Sequence, residues 1–498
     1  MACEYRVMGQ MVRLEVDPNT VAVRFRPSSP RSLRAKAMKA AGLLTFDSRT
    51  EIPDEGITLV PASAGLADAT QRLNALAAQP DVAATMPVFK VGDNKVVASD
   101  RILAAFHSFT AAKEIIAANS LEIVRQHEKE FVLRVPPNKS PLETIRRLAE
   151  QLGVTYAEPD FITIGRHLPK FVRNAMSTAT SDPLLPRQYA MVITQAKDAW
   201  AIATGNPEVS IAILDEGVDV THPDLAPAIA GTFDGIDCDT HQQPNPWDSH
   251  GTACAGLAAA VPDNGGGMRG VGAGCSILAA RIARSSAPDG DWMTTSETIR
   301  QSIDWSWQNG AAVLSNSWGG GAPSNAIVMA FERARIKGRN GLGSVIVIAA
   351  GNASGNVAFP ATISSVLAVS ASNEFDEFKT RTSRDQEYWW GSCYGPEISI
   401  AAPGVHNLTT DIRGTGGYDP GDYAPAFNGT SSATPLVAGA CALVISAKPT
   451  LREDQVRALI TGTADKVGTT PYVQGRNDFF GFGRLNVLRA VQKARTMP

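Results

Sequence analysis

Residues 209–225 read VSIAILDEGVDVTHPDL. From Val209 to Leu214 every residue is apolar or small, and the run stops at a carboxylate, Asp215. A continuous apolar strand, without the in-out alternation of a half-buried one, belongs in a parallel sheet covered on both faces. The same pattern returns in SILAARI (276–282), AAVLSN (311–316), SVIVIAA (344–350), SVLAVSA (365–371) and EISIAA (397–402). Between these runs lie helical patterns at 250–260, 294–310 and near 325–337, and two or three helices close the chain. Strand and helix in alternation predict an α/β, three-layer domain with a mostly parallel sheet over 182–498. The functional crevice of such a sheet lies beyond the carboxyl ends of its strands.

Chemistry-bearing residues stand at those ends. Asp215 closes the first strand. DSHGTACAG places His250 at a helix start, with small residues behind it. AAVLSNSWGG offers an extended Ser317-Trp318-Gly319, and IVIAAGNASG puts Asn352 just past Gly351. FNGTSSATP (427–435) sets Ser431 before the apolar run LVAGACALVI. Each has an ordinary reading beside the functional one. Ser431 is a helix N-cap or a nucleophile, Asp215 a turn residue or a catalytic acid, and Asn352 a left-handed turn residue or a donor. Their joint order, Asp, His, Ser, is one of the known arrangements of a nucleophilic triad.

ILDEGVDVTHPDL, DSHGTACAG, SNSWGG, AAGN, APG (402–404), NGTSSATPLVAG and FGFGRLN (480–486) together resemble the subtilases, the subtilisin-like serine proteases. The resemblance covers about 182–498 and implies a serine endopeptidase that works through an acyl-enzyme. It assigns Ser431 as nucleophile, His250 as general base, Asp215 as its orienting carboxylate and Asn352 as oxyanion donor. It lines the substrate site with Ser317, Trp318, Gly319, Ala350, Gly351 and Ala358. With Ala349 beside them, that set implies a roomy, apolar pocket for the residue before the scissile bond.

The chain departs from the pattern in two places: Ser432 stands where many subtilases carry Met, and DEG replaces DSG or DTG. Glu216 is then either a solvent-facing residue or an acidic group that attracts a basic substrate residue. Cys254, four residues after His250, reads as a packing residue. His222 reads as structural, and His406 matches no catalytic position. No cofactor is implied for catalysis. The family commonly carries structural calcium, but no ligand set for it is legible. Two further readings stay open: a peptide-joining, macrocyclase-like enzyme, and a catalytically silent scaffold.

The first part of the chain has a different texture. GITLVPASAGLADATQRLNALAAQPDVAATMPV (56–88) aligns with FVLRVPPNKSPLETIRRLAEQLGVTYAEPDFI (131–162), pairing Pro61 with Pro136 and Leu73 with Leu148. Each copy reads strand, turn, helix, strand, with a further strand and helix upstream. Two small β-α-β-β-α-β units of the ferredoxin-like kind are expected. In the second, Ile145, Leu148 and Leu152 are placed on one helix face. The expected domains are 1–94, a propeptide-like or regulatory unit with a partner of its own; 95–165, resembling the subtilase propeptide; a linker over 166–181; and 182–498, the catalytic part. The resemblance implies a zymogen whose own propeptide lies in the active-site cleft.

Composition sets the outer bounds. The 498 residues carry 46 basic and 49 acidic side chains, a balance that gives no reason to expect nucleic acid or an anionic membrane as partner. The N-terminal stretch MACEYRVMGQMVRLEV has no apolar core of a secretory signal, and LVAGACALVI is about half a membrane span. The six cysteines are scattered without a CxxC pair. A cytoplasmic protein with free thiols, acting on protein or peptide substrates, is the expectation.

Overall fold

The computed structural model describes residues 2–26, 29–40, 51–52, 56–61, 69–136, 139–168, 182–288 and 290–497. Most of the expected linker, 169–181, lies outside the described residues, as does part of the first repeat. Two compact units emerge. One comprises Met1–Arg166, Ser285–Glu297 and Gly321–Ile327; the other comprises His167–Arg284, Thr298–Gly320 and Val328–Pro498.

The larger unit is built on seven parallel strands. Across the sheet they run Ile229–Asp234, Ser276–Arg281, Ser210–Asp215, Ala311–Asn316, Val345–Ala349, Leu367–Ser372 and Ile398–Pro403. The edge strand Ile229–Asp234 is only partly buried and was not legible as an apolar run. The chain leaves Ser210–Asp215 toward one edge and later continues from Ala311–Asn316 toward the other. The switch point therefore falls between these two strands, with Asp215 and Ser317 at its rim.

Against the sheet packs the helix Thr430–Ala447, buried from Thr430 to Ile445. It is long and apolar enough to cross a membrane, yet 89% of it lies inside the unit, as the core helix of a globular domain does. Pro435 sits within it. Proline has no N–H, so the carbonyl four residues back, that of Ser431, loses its helical partner. Ser317 Oγ donates to that carbonyl at 2.9 Å, and the Cys254 thiol approaches it at 3.6 Å. The proline thus leaves an acceptor that ties the helix start to the neighbouring strand end and to the His250–Ala259 helix.

The smaller unit shows the expected repeat as two sheets run into one. Its first half orders its strands Val82–Val91, Gln10–Phe25, Ile57–Pro61, Glu51–Ile52; its second orders them Val154–Gly165, Asn94–Phe106, Glu130–Arg134, Glu122–His127. Numbered by chain order, both are 4-1-3-2, the ferredoxin-like arrangement. Val82–Val91 pairs directly with Asn94–Phe106, so the halves share one continuous antiparallel sheet. The paired repeat positions Leu73 and Leu148 are both buried. Leu152 corrects the expected helix face: the helix Pro141–Ala149 has ended before it, and Leu152 is 99% exposed. Thr144, with Ile145 and Leu148, fills that face instead.

Candidate active site

Asp215 is the last residue of its strand and His250 the first of its helix. Asp215 Oδ1 meets His250 Nδ1 at 2.8 Å, and the same oxygen accepts from the Glu216 backbone N–H at 2.9 Å. Both side chains are largely buried. Burial is the largest influence and opposes a charged imidazole, but the Asp215 carboxylate and the neighbouring Cys254 together raise the His250 pKa well above its ordinary value. The Phe427 ring stands edge-on to the imidazole, with centroids 5.3 Å apart.

Ser431 is the second residue of its helix, after Thr430. The cap position falls to Gly429, so Ser431 does not serve as the N-cap. Its hydroxyl donates to the Ser317 carbonyl at 2.8 Å. Gly429 adopts φ +107°, a conformation that side chains rarely take. A Cβ there would meet Asn352 Nδ2 at 3.3 Å and a methyl of Leu168 at 3.1 Å.

Thr430 fixes the amide of Asn352. Its backbone N–H and its hydroxyl both donate to Asn352 Oδ1, at 2.9 and 3.0 Å. With the oxygen so engaged, the NH2 is turned to the Gly429 side, next to Ser431. The residue with positive φ at this turn is Gly351, at +109°, and not Asn352.

The expected substrate-lining residues converge as well. The Ala358 N–H donates to the Ala350 carbonyl at 3.0 Å, and Gly320 N–H to the Phe359 carbonyl at 2.8 Å. Cβ atoms built on Gly351 and Gly319 would lie 3.6 and 3.9 Å from that of Ala358. Sequence reading missed Cys393, whose sulfur lies 3.1 Å from the position of a Gly351 Cβ. It also missed Thr430 as the orienting residue, although Thr430 stands inside the quoted motif.

Glu216 is not solvent-facing: it is 4% exposed. Its Oε1 lies 3.2 Å from His167 Nε2. The His167 ring stands 6.2 Å from that of His250, and Leu168 packs against Ala371, Trp390 and Val405. Residues 167 and 168 thus line the crevice within this unit. The Cys254 thiol is buried, 3.8 Å from His250 Nδ1, and burial pushes its pKa up to about 11, so it stays protonated at neutral pH. His222 is fully buried, its ring bonded to the Asp422 carbonyl and the Asp224 N–H, as a structural histidine should be.

A second group of oxygen ligands was not legible in the sequence. The Asp263 N–H donates to Asp182 Oδ1, while Asn264 Nδ2 and the Met268 N–H donate to the two oxygens of Asp224. Asp182 is 1% exposed; burial and the nearby carboxylates of Asp263 and Asp224 raise its pKa. Asp182 and Asp224 are buried carboxylates near enough to act on one another's charge, and oxygen donors of this kind suit a hard cation.

The family model described as Peptidase S8, subtilase family, matches residues 206–483. Thermitase of Thermoactinomyces vulgaris is 37% identical over 61% of this chain and 96% of that protein. A calcium-dependent protease of Nostoc sp. is 28% identical over 98% of this chain and 79% of that protein. Among solved structures, fervidolysin of Fervidobacterium pennivorans, described as a keratinolytic enzyme related to subtilisin, matches with a TM-score of 0.60. The match covers 79% of this chain and 61% of fervidolysin at 23% identity.

Proposed function

The chain belongs to the subtilase family of serine proteases, and from that premise we propose that Asp215, His250 and Ser431 are its catalytic triad in an endopeptidase made as a self-inhibited zymogen. The observation that carries the reading is the 2.8 Å Asp215–His250 pair beside a serine at a helix start, with the Asn352 amide already oriented. In the proposed reaction, Ser431 Oγ turns from the Ser317 carbonyl to His250 Nε2 and attacks the scissile carbonyl. The hydroxyl proton passes to His250 and then to the leaving amine; water repeats the sequence on the acyl-enzyme. Asp215 holds the imidazole's tautomer and stabilises its cation. The oxyanion receives the Asn352 Nδ2–H and the Ser431 N–H at the positive end of the helix. Ser317–Gly319, just past its strand end, offers backbone to which a substrate adds as a strand. The pocket formed by Gly319, Ala350, Gly351, Ala358 and Cys393 accepts the apolar side chain before the bond.

The zymogen reading is supported by His167 and Leu168, which lie beside His250 and Gly429. A fluorophosphonate should label Ser431 in the processed protein and fail on the His250→Ala variant, read by peptide mass spectrometry. Equal labelling of both proteins, or label on another residue, would refute the triad.

Asp182 and Asp224, with the side-chain oxygen of Asn264 beside them, would hold a structural calcium, a proposal that agrees with the name of the Nostoc relative. An ion there would neutralise the two buried carboxylates and fasten the loop after the His250 helix. EGTA should therefore lower the Tm of Ser431→Ala protein, and added calcium at about a hundredfold over its Kd should restore about 2.7 kcal/mol. A Tm indifferent to both additions would remove this site.

A further inference from the structure

The crevice holds a second cluster that the proposed chemistry does not use. Donor atoms of His167, Glu216 and Asp248 all lie within 4.8 Å of one another. Glu216 follows the strand-end Asp215, and Asp248 precedes His250 by two residues. Both are buried, at 4% and 1% exposure, and Asp248 Oδ2 accepts from Asn245 Nδ2 at 2.9 Å. Neither Glu216 oxygen receives a hydrogen bond, and its ionic partner among the described residues is His167 at 3.2 Å. A buried carboxylate that receives no hydrogen bond is costly, and the His167 imidazole is the single cationic partner of Glu216 within the cluster.

We propose that His167, Glu216 and Asp248 form a transition-metal site of the zinc class that fastens the His167 segment beside His250. One imidazole and two carboxylates supply three ligands and leave a fourth position for water, a coordination that zinc accepts. The imidazole selects against calcium and magnesium. Two ligands come from the walls of the crevice and the third from the segment lying in it. The metal is thus a clasp: bound, it holds residue 167 in place; removed, it frees the segment. Asp215, His250 and Cys254 also bring donor atoms within 4.8 Å of one another, and the experiment has to separate the two groups.

The test uses full-length Ser431→Ala protein stripped with chelator and titrated with Zn2+ by calorimetry, and with Co2+ by visible absorption. One site is expected. His167→Ala and Glu216→Gln should each weaken zinc about tenfold or more, while Cys254→Ser leaves it unchanged. His167 is partly exposed, so its replacement spares the fold. The proposal is overturned by the absence of zinc binding, by binding that survives both His167→Ala and Glu216→Gln, or by binding lost with Cys254→Ser. This readout does not depend on the peptidase reading, because the nucleophile is absent throughout.

Discussion

His406 shows how much chemistry lies just outside the motifs. Its ring reaches Glu374 at 3.2 Å through Nδ1 and Glu387 at 3.2 Å through Nε2. Its backbone N–H donates to Asn428 Oδ1, and Asn428 Nδ2 donates to Glu387. Asn428 lies three residues before Ser431, so this network supports the serine turn. Burial works against the imidazolium, but the two glutamates prevail and carry the His406 pKa up to about 9. A folded pKa above the unfolded value means stability that is complete below about 6.5 and is lost as pH rises through about 9. The rise corresponds to about 3 kcal/mol. In the Ser431→Ala background, urea unfolding at successive pH values should show that loss, and His406→Gln should flatten it. Parallel curves for the two proteins would contradict the assignment. At this scale the residues of the proposed triad could be picked out as a set because each sits in a short local motif. The partners of His406 were not, since Glu374 and Glu387 come from a stretch with no motif and meet it only in the fold.

Elements carry the next level of order. The apolar strands of the larger unit could be read nearly to their ends, because burial on both faces leaves an unbroken signature. The edge strand Ile229–Asp234 could not, for its outward side is wet and its composition mixed. The repeat was legible through paired prolines and leucines. Its union into one sheet was not, since that depends on the Val88–Val97 register across a short turn. Helix ends were harder still. Leu152 matches the spacing of Ile145 and Leu148, yet the chain turns away at Glu150.

Within the smaller unit, the backbone at 324–326 rests on a residue far off in sequence. Glu158 is fully buried and accepts from Ser324 Oγ, the Asn325 N–H and Nδ2, and the Ala326 N–H, at 2.6 to 3.1 Å. It thereby satisfies the backbone N–H groups of Asn325 and Ala326, which belong to the same unit. Burial pushes the Glu158 pKa up to about 7, against those hydrogen bonds. Glu158→Gln keeps the size but turns an NH2 toward these donors. The expected cost is about 1–3 kcal/mol, measured by urea unfolding at pH 8 in the Ser431→Ala background. A change below about 0.5 kcal/mol, the range of an ordinary surface substitution, would show that the carboxylate is not the support of this turn.

For the whole molecule, the central claim is that a live nucleophile and the segment that blocks it belong to one chain. His167 and Leu168 line the crevice that holds His250 and Gly429, and 169–181 follow directly. The most direct measurement is intact mass spectrometry of purified wild-type protein beside Ser431→Ala. The account predicts that the wild type is cut within about residues 160–182 and that the variant stays whole. If both proteins are cut at the same bond, Ser431 is not the nucleophile. If both stay whole, the chain does not remove its own N-terminal part.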